Sequence, residues 1–203
     1  MAAPFDHPDW IFELKYDGFR ARADIWNGKA ELVSRRGNVY KSWASLREQL
    51  GRELGDHQAV LDGELVVLDA DGRSLFYDLL RRRHPPIFVA FDLLYVDGED
   101  LREIPLLERK RRLHALLPEE SSTLLYAQHV IGAGRALFDQ VCALDLEGIV
   151  AKVAAAPYRR TGSRSRTRIT HRRRAGTSSS SRTADNCSPA RFRVSGNSFR
   201  STR

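Results

Sequence analysis

Apolar and polar residues alternate along the first stretch of the chain. Trp10, Phe12, Leu14 and Tyr16 fall on one face of an extended strand, and Glu13, Lys15 and Asp17 on the other. Gly18 permits a tight turn, after which Ala21, Ala23 and Ile25 alternate with Arg20, Arg22 and Asp24. This pattern predicts a hairpin that gathers Lys15, Asp17 and Arg20 in one small volume. Ala30-Glu31-Leu32-Val33 reads as a further strand. Gln58 to Asp69 is a longer one, with Val60, Asp62, Glu64, Val66 and Leu68 on one face and an alternative of a bulge at Gly63. Ile87 to Gly98 is nearly continuous apolar sequence ending in a turn signal, as in a buried strand. Helical spacing lies between these strands. Ser42 is placed to cap a helix through about Leu54, with Trp43, Leu46 and Leu50 inward. Leu75 to Arg83 is a short helix. Pro105 opens another to about Leu117, with Leu106, Leu113, Leu116 and Leu117 inward, and Gly134 to Leu144 is a fourth. Strands with mostly hairpin-type links and intervening helices predict an α+β domain with antiparallel sheets.

Composition sharpens this in one respect. The chain has 203 residues, enough for one substantial core, and a formal net charge of +7. That charge is unevenly placed. Residues 1–152 carry 20 basic and 25 acidic residues, whereas residues 153–203 carry 13 basic residues, all arginine, and one acid. The basic character therefore belongs to an arginine-, serine- and threonine-rich segment without apolar periodicity. By composition, residues 159–203 are expected to be disordered, either as an electrostatic arm for nucleic acid or as an extension without a role. No apolar run reaches membrane length, since Ile87 to Val96 is interrupted by Asp92. The start lacks the charged and apolar regions of a signal peptide. Cys142 and Cys187 are far apart with no CxxC partner, which suits a reducing, cytoplasmic location and argues against structural zinc.

The chemistry concentrates at Lys15. A lysine amine acts as a covalent nucleophile when its pKa is lowered or a metal assists. Arg20 favours the neutral amine, Asp17 the charged one, and a fixed guanidinium suits phosphate oxygens. These residues fit attack on phosphorus or carbonyl carbon beside a bound anion, and equally a charge cluster on a surface hairpin. Asp62 and Glu64 sit among apolar neighbours, where a carboxylate can hold a ribose or a hard cation; exposed acids on an edge strand are the plainer alternative. The sequence contains neither a GxxxxGK[ST] loop nor a GxGxxG after a strand, so two common nucleotide folds lack support. The runs Arg81 to Arg83 and Arg109 to Arg112 read as solvated helix faces.

Glu13-Leu14-Lys15-Tyr16-Asp17-Gly18-Phe19-Arg20, Ser34-Arg35-Arg36-Gly37, Asp62-Gly63-Glu64, Phe91-Asp92 and Leu146-Glu147-Gly148-Ile149-Val150-Ala151-Lys152 follow one another in the order of the covalent nucleotidyltransferase motifs. Together they most resemble the adenylation domain of bacterial ATP-dependent DNA ligases of the end-joining type, over about residues 4–158. The resemblance implies the nucleotidyltransferase fold, two antiparallel sheets around a nucleotide cleft, with residues 1–158 as the domain. It implies that Lys15 forms lysyl-AMP from ATP and that AMP passes to a DNA 5′-phosphate, sealing strands in repair, recombination or replication. By the same resemblance Glu13 contacts adenine or ribose, Arg20 and Lys152 grip nucleotide oxygens, Arg35 lines phosphates and Phe91 stacks on the base. Glu64 and Glu147 hold Mg2+, and Glu64 also contacts the nucleotide. Alternation would put Glu147 and Lys152 on opposite faces, so Glu147 must stand at the strand entrance with Gly148 bending the chain. Nicked or broken double-stranded DNA is the implied partner of a monomer. An RNA ligase or capping-type enzyme, or a non-catalytic nucleotide-binding remnant, remains open.

The resemblance breaks near Arg160. Its family continues into a Trp-x-Lys-x-Lys strand and an OB-type domain. Neither pattern follows here, and the two lysines fall at Thr170 and Arg172. A disrupted reading frame or sequence near Arg160 is expected, leaving a truncated or impaired enzyme. Nucleotide sequencing of the locus checks this: an alternative frame encoding Trp-x-Lys-x-Lys is the expected outcome, and its absence counts against it.

Overall fold

The computed structural model describes residues 3–159 and 166–170. In chain order the strands are β1 (His7–Leu14), β2 (Phe19–Trp26), β3 (Lys29–Ser34), β4 (Ala59–Val66), β5 (Ile87–Val96), β6 (Glu99–Asp100), β7 (Leu124–Tyr126), β8 (His129–Gly132), β9 (Gly148–Val153) and β10 (Arg166–Thr170). The helices are α1 (Ala44–Leu54), α2 (Phe76–Leu80), α3 (Leu106–Leu116) and α4 (Gly134–Ala143). One sheet runs β10-β9-β1-β8, the other β3-β2-β4-β5-β6, with β7 added beside β5. The α+β class and the two sheets are as the sequence predicts. One pairing departs from the antiparallel rule: β7 lies parallel to β5. A parallel partner needs a crossover, and α3 supplies it.

The alternation in β2 and β4 explains the larger core. Ala21, Ala23, Ile25, Leu61 and Leu65 turn to one side and pack with Leu46, Leu50 and Leu54 of α1 and Leu113 of α3. Burying each such leucine contributes roughly 1.5–3 kcal/mol. The smaller sheet buries Phe12, Ile149 and Ala151 against Val141 of α4. A third cluster, Val66, Val89 and Ala127, lies beside Phe91.

The predicted hairpin is not formed. β1 and β2 belong to different sheets, so residues 15–18 carry the chain across from one to the other. Gly18 is required there for a different reason from a turn: a Cβ would strike the Leu65 carbonyl and the Val66 side chain. Ser42 does not cap α1. The N-cap is Trp43, in the left-handed region at φ 60°, with no side-chain cap bond. Packing of Trp43 on Tyr40, at 5.3 Å between ring centroids, and on Phe19 at 6.3 Å takes the place of a cap. The helix at 75–83 is shorter than predicted, because Arg82 turns left-handed at φ 54°. In the segment read as disordered, residues 166–170 instead form β10, paired antiparallel with β9. Thr170 is its last residue, opposite Gly148. Arg172 and the rest of that segment beyond Arg159 lie outside the described residues.

Pairing of β4 with β5 is irregular. Asp62 is opposite Asp92 but Gly63 is opposite Ala90, which leaves Phe91 without a partner on β4. Such a bulge re-aims its side chain. Gly63 lets β5 come close: a Cβ there would sit 2.5 Å from the Phe88 ring and 2.6 Å from the Val89 carbonyl. Gly63→Ala is accordingly expected to destabilise the fold by about 1–3 kcal/mol, measured by urea unfolding, since backbone cannot yield as a flexible side chain does.

Candidate active site

A cavity of about 240 Å³ opens between the two sheets, and Glu13, Lys15, Arg20, Arg35, Glu64, Phe91 and Lys152 all line it. These seven residues come from widely separated stretches of sequence and from both sheets. Register accounts for their placement. Ile11 pairs with Lys152 and Glu13 with Val150, so Glu13 and Lys152 project from the same face of neighbouring strands. The Lys15 backbone N–H donates to the Gly148 carbonyl at 2.9 Å and continues the ladder one residue past β1. Glu64 stands opposite Arg20 across β4 and β2. Arg35 is exposed on the rim.

Glu147 precedes β9, and Gly148 has φ 154°, which is the bend that the sequence required. The Glu147 carboxylate does not line the small cavity. It lines an adjoining one of about 490 Å³, which Lys15 and Asp17 also border. Lys15 Nζ contacts Glu147 Oε1. Glu147 Oε2 is buried with no hydrogen-bond partner among the described residues, an atom suited to a cation. Among the described residues no cluster of three or more acidic, His or Cys side chains forms a metal cage. Mg2+ does not need one, because it keeps water and phosphate ligands beside one or two carboxylates.

Glu13 is held more tightly than the sequence suggested. Its carboxylate is 3% exposed. Oε1 accepts from Lys110 Nζ at 2.6 Å, and Oε2 lies 2.5 Å from Lys152 Nζ. Burial raises the pKa of such a carboxyl, but Lys152 and Lys110 outweigh burial and hold it below its ordinary value. Lys152 Nζ also sits 4.4 Å from the centre of the Phe91 ring, and the Arg20 guanidinium 5.6 Å from it. Arg20 makes a fork to Asp62, at 3.1 and 2.6 Å. Burial opposes its charge, yet the bonds to Asp62 raise its pKa further. Tyr158 donates its hydroxyl to Asp62 Oδ2 at 2.9 Å; burial, with Asp62 beside it, pushes that hydroxyl up to about 12.

Lys110 and Tyr158 had no role in the sequence reading, and Asp62, read with Glu64 as a carboxylate for a ribose or cation, is bonded to Arg20 and Tyr158. The run Arg109 to Arg112, read as a solvated face, is divided. Arg109 and Lys110 are buried, while Arg111 and Arg112 pair with Glu108. The signal was present: Leu106, Arg109, Lys110 and Leu113 follow i, i+3, i+4, i+7 spacing, the inward stripe of a helix. Arg109 forks to Asp92 at 2.7 and 2.9 Å and donates to the Ile104 and Ala156 carbonyls.

A lysine at a strand end, between two sheets and beside a ring and further cations, defines a nucleotidyltransferase domain. The chain belongs to the ATP-dependent DNA ligase domain family, whose model matches residues 2–169. It is 37% identical over 157 residues to the multifunctional non-homologous end joining protein LigD of Pseudomonas aeruginosa, covering 74% of this chain and 19% of that protein. The ligase domain of M. tuberculosis LigD superposes with a TM-score of 0.74 at 30% identity, over 82% of this chain and 55% of that one. A mycobacterial DNA ligase D complexed with ATP and MES does so with a TM-score of 0.74 at 31%, over 82% and 56%. The chain thus spans about a fifth of the LigD protein and just over half of the solved ligase domains.

The lowered Glu13 pKa sets a pH dependence. A carboxylate depressed on folding stabilises the fold above its unfolded pKa, and that stability is lost as pH falls through its folded value. Urea unfolding from about pH 7 down to about pH 3 is expected to show this loss. Glu13→Gln is expected to be less stable at neutral pH and to show a flatter acid limb.

Proposed function

We propose that this chain carries out lysine-dependent nucleotidyl transfer from ATP to DNA, as part of strand joining on nicked or broken duplexes by a cytoplasmic monomer. The observation that carries this is the single cavity holding Lys15 with Glu13, Arg20, Arg35, Glu64, Phe91 and Lys152. Phe91, freed from pairing by the bulge in β5, offers a ring for the adenine. Lys152 and Arg35 face the phosphates. Lys15 Nζ then attacks the α-phosphorus. A P–N bond forms, the P–O bond to pyrophosphate breaks, and pyrophosphate leaves with its electron pair. The amine sheds a proton for this, and Glu147 Oε1 already receives it in a contact. AMP next passes to a DNA 5′-phosphate, and a 3′-hydroxyl displaces it as the phosphodiester forms. Positioning and neutralisation of charge supply most of the acceleration in such chemistry.

Glu64 and Glu147 would hold Mg2+, with the unpartnered Glu147 Oε2 as the free ligand atom. When bound, the ion neutralises charge on the phosphates. Relatives named as DNA ligases favour DNA over RNA or a cap as the acceptor.

Intact-protein mass spectrometry after incubation with ATP and magnesium tests the reading. The wild-type chain is expected to gain one AMP, and Lys15→Ala to gain none. Adduct on Lys15→Ala, or labelling by GTP in place of ATP, would overturn it. Because the family's lysine strand is replaced by Thr170 and its neighbours, sealing of nicked DNA is expected to be weak beside the first step.

A further inference from the structure

Lys110 is a buried charge near the cavity that the chemistry above does not use. It lies on α3, its side chain is fully buried, and its ammonium has four neighbours. It donates to Glu13 Oε1 at 2.6 Å, to the Ala127 carbonyl at 2.9 Å and to the Phe91 carbonyl at 3.4 Å, and stands 4.5 Å from the Tyr126 ring centre. Burying an ammonium is costly unless it is paired and hydrogen-bonded, as this one is, and its charge is then available for a task that a methyl group cannot perform.

The charges around it show what that task is. Two ammonium groups, Lys110 and Lys152, meet one carboxylate, Glu13. Arg20, which shares the Phe91 ring with Lys152, is balanced by Asp62, and the aromatic neighbours of the cluster add no charge. Burial holds Tyr16 and Tyr126 above their ordinary values and His129 below its own, so all three are uncharged at neutral pH. Asp92 is closed by the fork of Arg109. One positive charge is therefore left over, and only Lys152 of the two lysines lines the cavity.

We propose that Lys110 is a positioning residue for ATP: by occupying one oxygen of Glu13 it keeps a surplus positive charge on the cluster and leaves Lys152 able to move from Glu13 to a nucleotide phosphate. Without Lys110, Glu13 and Lys152 form a closed neutral pair, and an incoming phosphate must break it. The inference rests on the nucleotide reading of this cavity.

Calorimetric ATP binding and the rate of lysyl-AMP formation are compared for wild type, Lys110→Met, Glu13→Gln and the double variant, each checked for folding by circular dichroism. Lys110→Met is expected to weaken ATP binding about tenfold and to raise KM by a similar factor, with little change in kcat. Glu13→Gln in the same chain restores the surplus charge, so the double variant is expected to regain part of the affinity that Lys110→Met loses, the remainder being the contribution of Glu13 itself to the cavity. A purely structural Lys110 predicts recovery of fold stability in the double variant without a selective effect on KM, so urea unfolding of the same four chains is read beside KM. An unrescued double variant, or a fall in kcat with KM unchanged, overturns the inference. Should Lys110→Met not fold, nitrogen NMR of the lysine ammonium groups in the wild-type chain decides. The Lys152 signal is expected to shift on adding ATP while that of Lys110 stays; movement of Lys110 or stasis of Lys152 overturns it. A wild-type chain that binds no ATP overturns the functional reading and this inference together. ATP binding without rescue overturns this inference alone.

Discussion

The two sheets are tied together by a buried charge. Glu13 belongs to the smaller sheet, and Lys110 sits on α3, which crosses from β5 to β7 in the larger one. Their bond at 2.6 Å therefore spans the gap between the layers at the inner end of the cleft. Apolar contact alone is tolerant of sliding, whereas an ammonium held by a carboxylate and two carbonyls accepts few geometries. Removing Glu13 from this contact leaves the buried Lys110 ammonium uncompensated, at a cost of roughly 3–5 kcal/mol. This contact helps to set the separation of the sheets and the width of the cavity, together with the bonds of Arg109 to the Ala156 carbonyl and of Tyr158 to Asp62.

The remaining site residues are placed by irregularities in otherwise regular strands. Phe91 faces the cavity because β5 has one residue more than β4 across Asp62 and Gly63. Glu147 reaches Lys15 because Asp145, at φ 53°, and Gly148 bend the chain before β9 begins. Arg20 is fixed by Asp62 on the neighbouring strand and not by a turn. Regular pairing supplies the platform, and each departure from it aims one side chain.

Much of this was legible in the sequence. Alternation found β1, β2 and β4, a continuous apolar run found β5, and α1 and α3 were found because each buries a clear apolar face. Seven residues named from the order of the motifs line the small cavity. The pairing of sheets was not legible: Tyr16 to Gly18 has the composition of a hairpin turn, and only long-range contacts decide that β1 and β2 part company. Lys110 was passed over because a run of four cations reads as solvated, although its i, i+4 relation to Leu106 pointed inward. The start of α1 was missed since aromatic packing by Trp43 replaced the side-chain cap that Ser42 offered. β10 escaped notice because its arginine-rich composition carries no apolar pattern, and Ile169 alone is buried among its described side chains.

The hydrogen bond from Tyr158 to Asp62 has a mechanical consequence. Asp62 holds both that hydroxyl and the guanidinium of Arg20, so the backbone leaving β9 is coupled to a cavity wall through a single carboxylate. Tyr158 is fixed at both ends, its N–H to the Arg102 carbonyl and its hydroxyl to Asp62, so the position of the chain after β9 and the setting of Arg20 at the cavity wall are not independent.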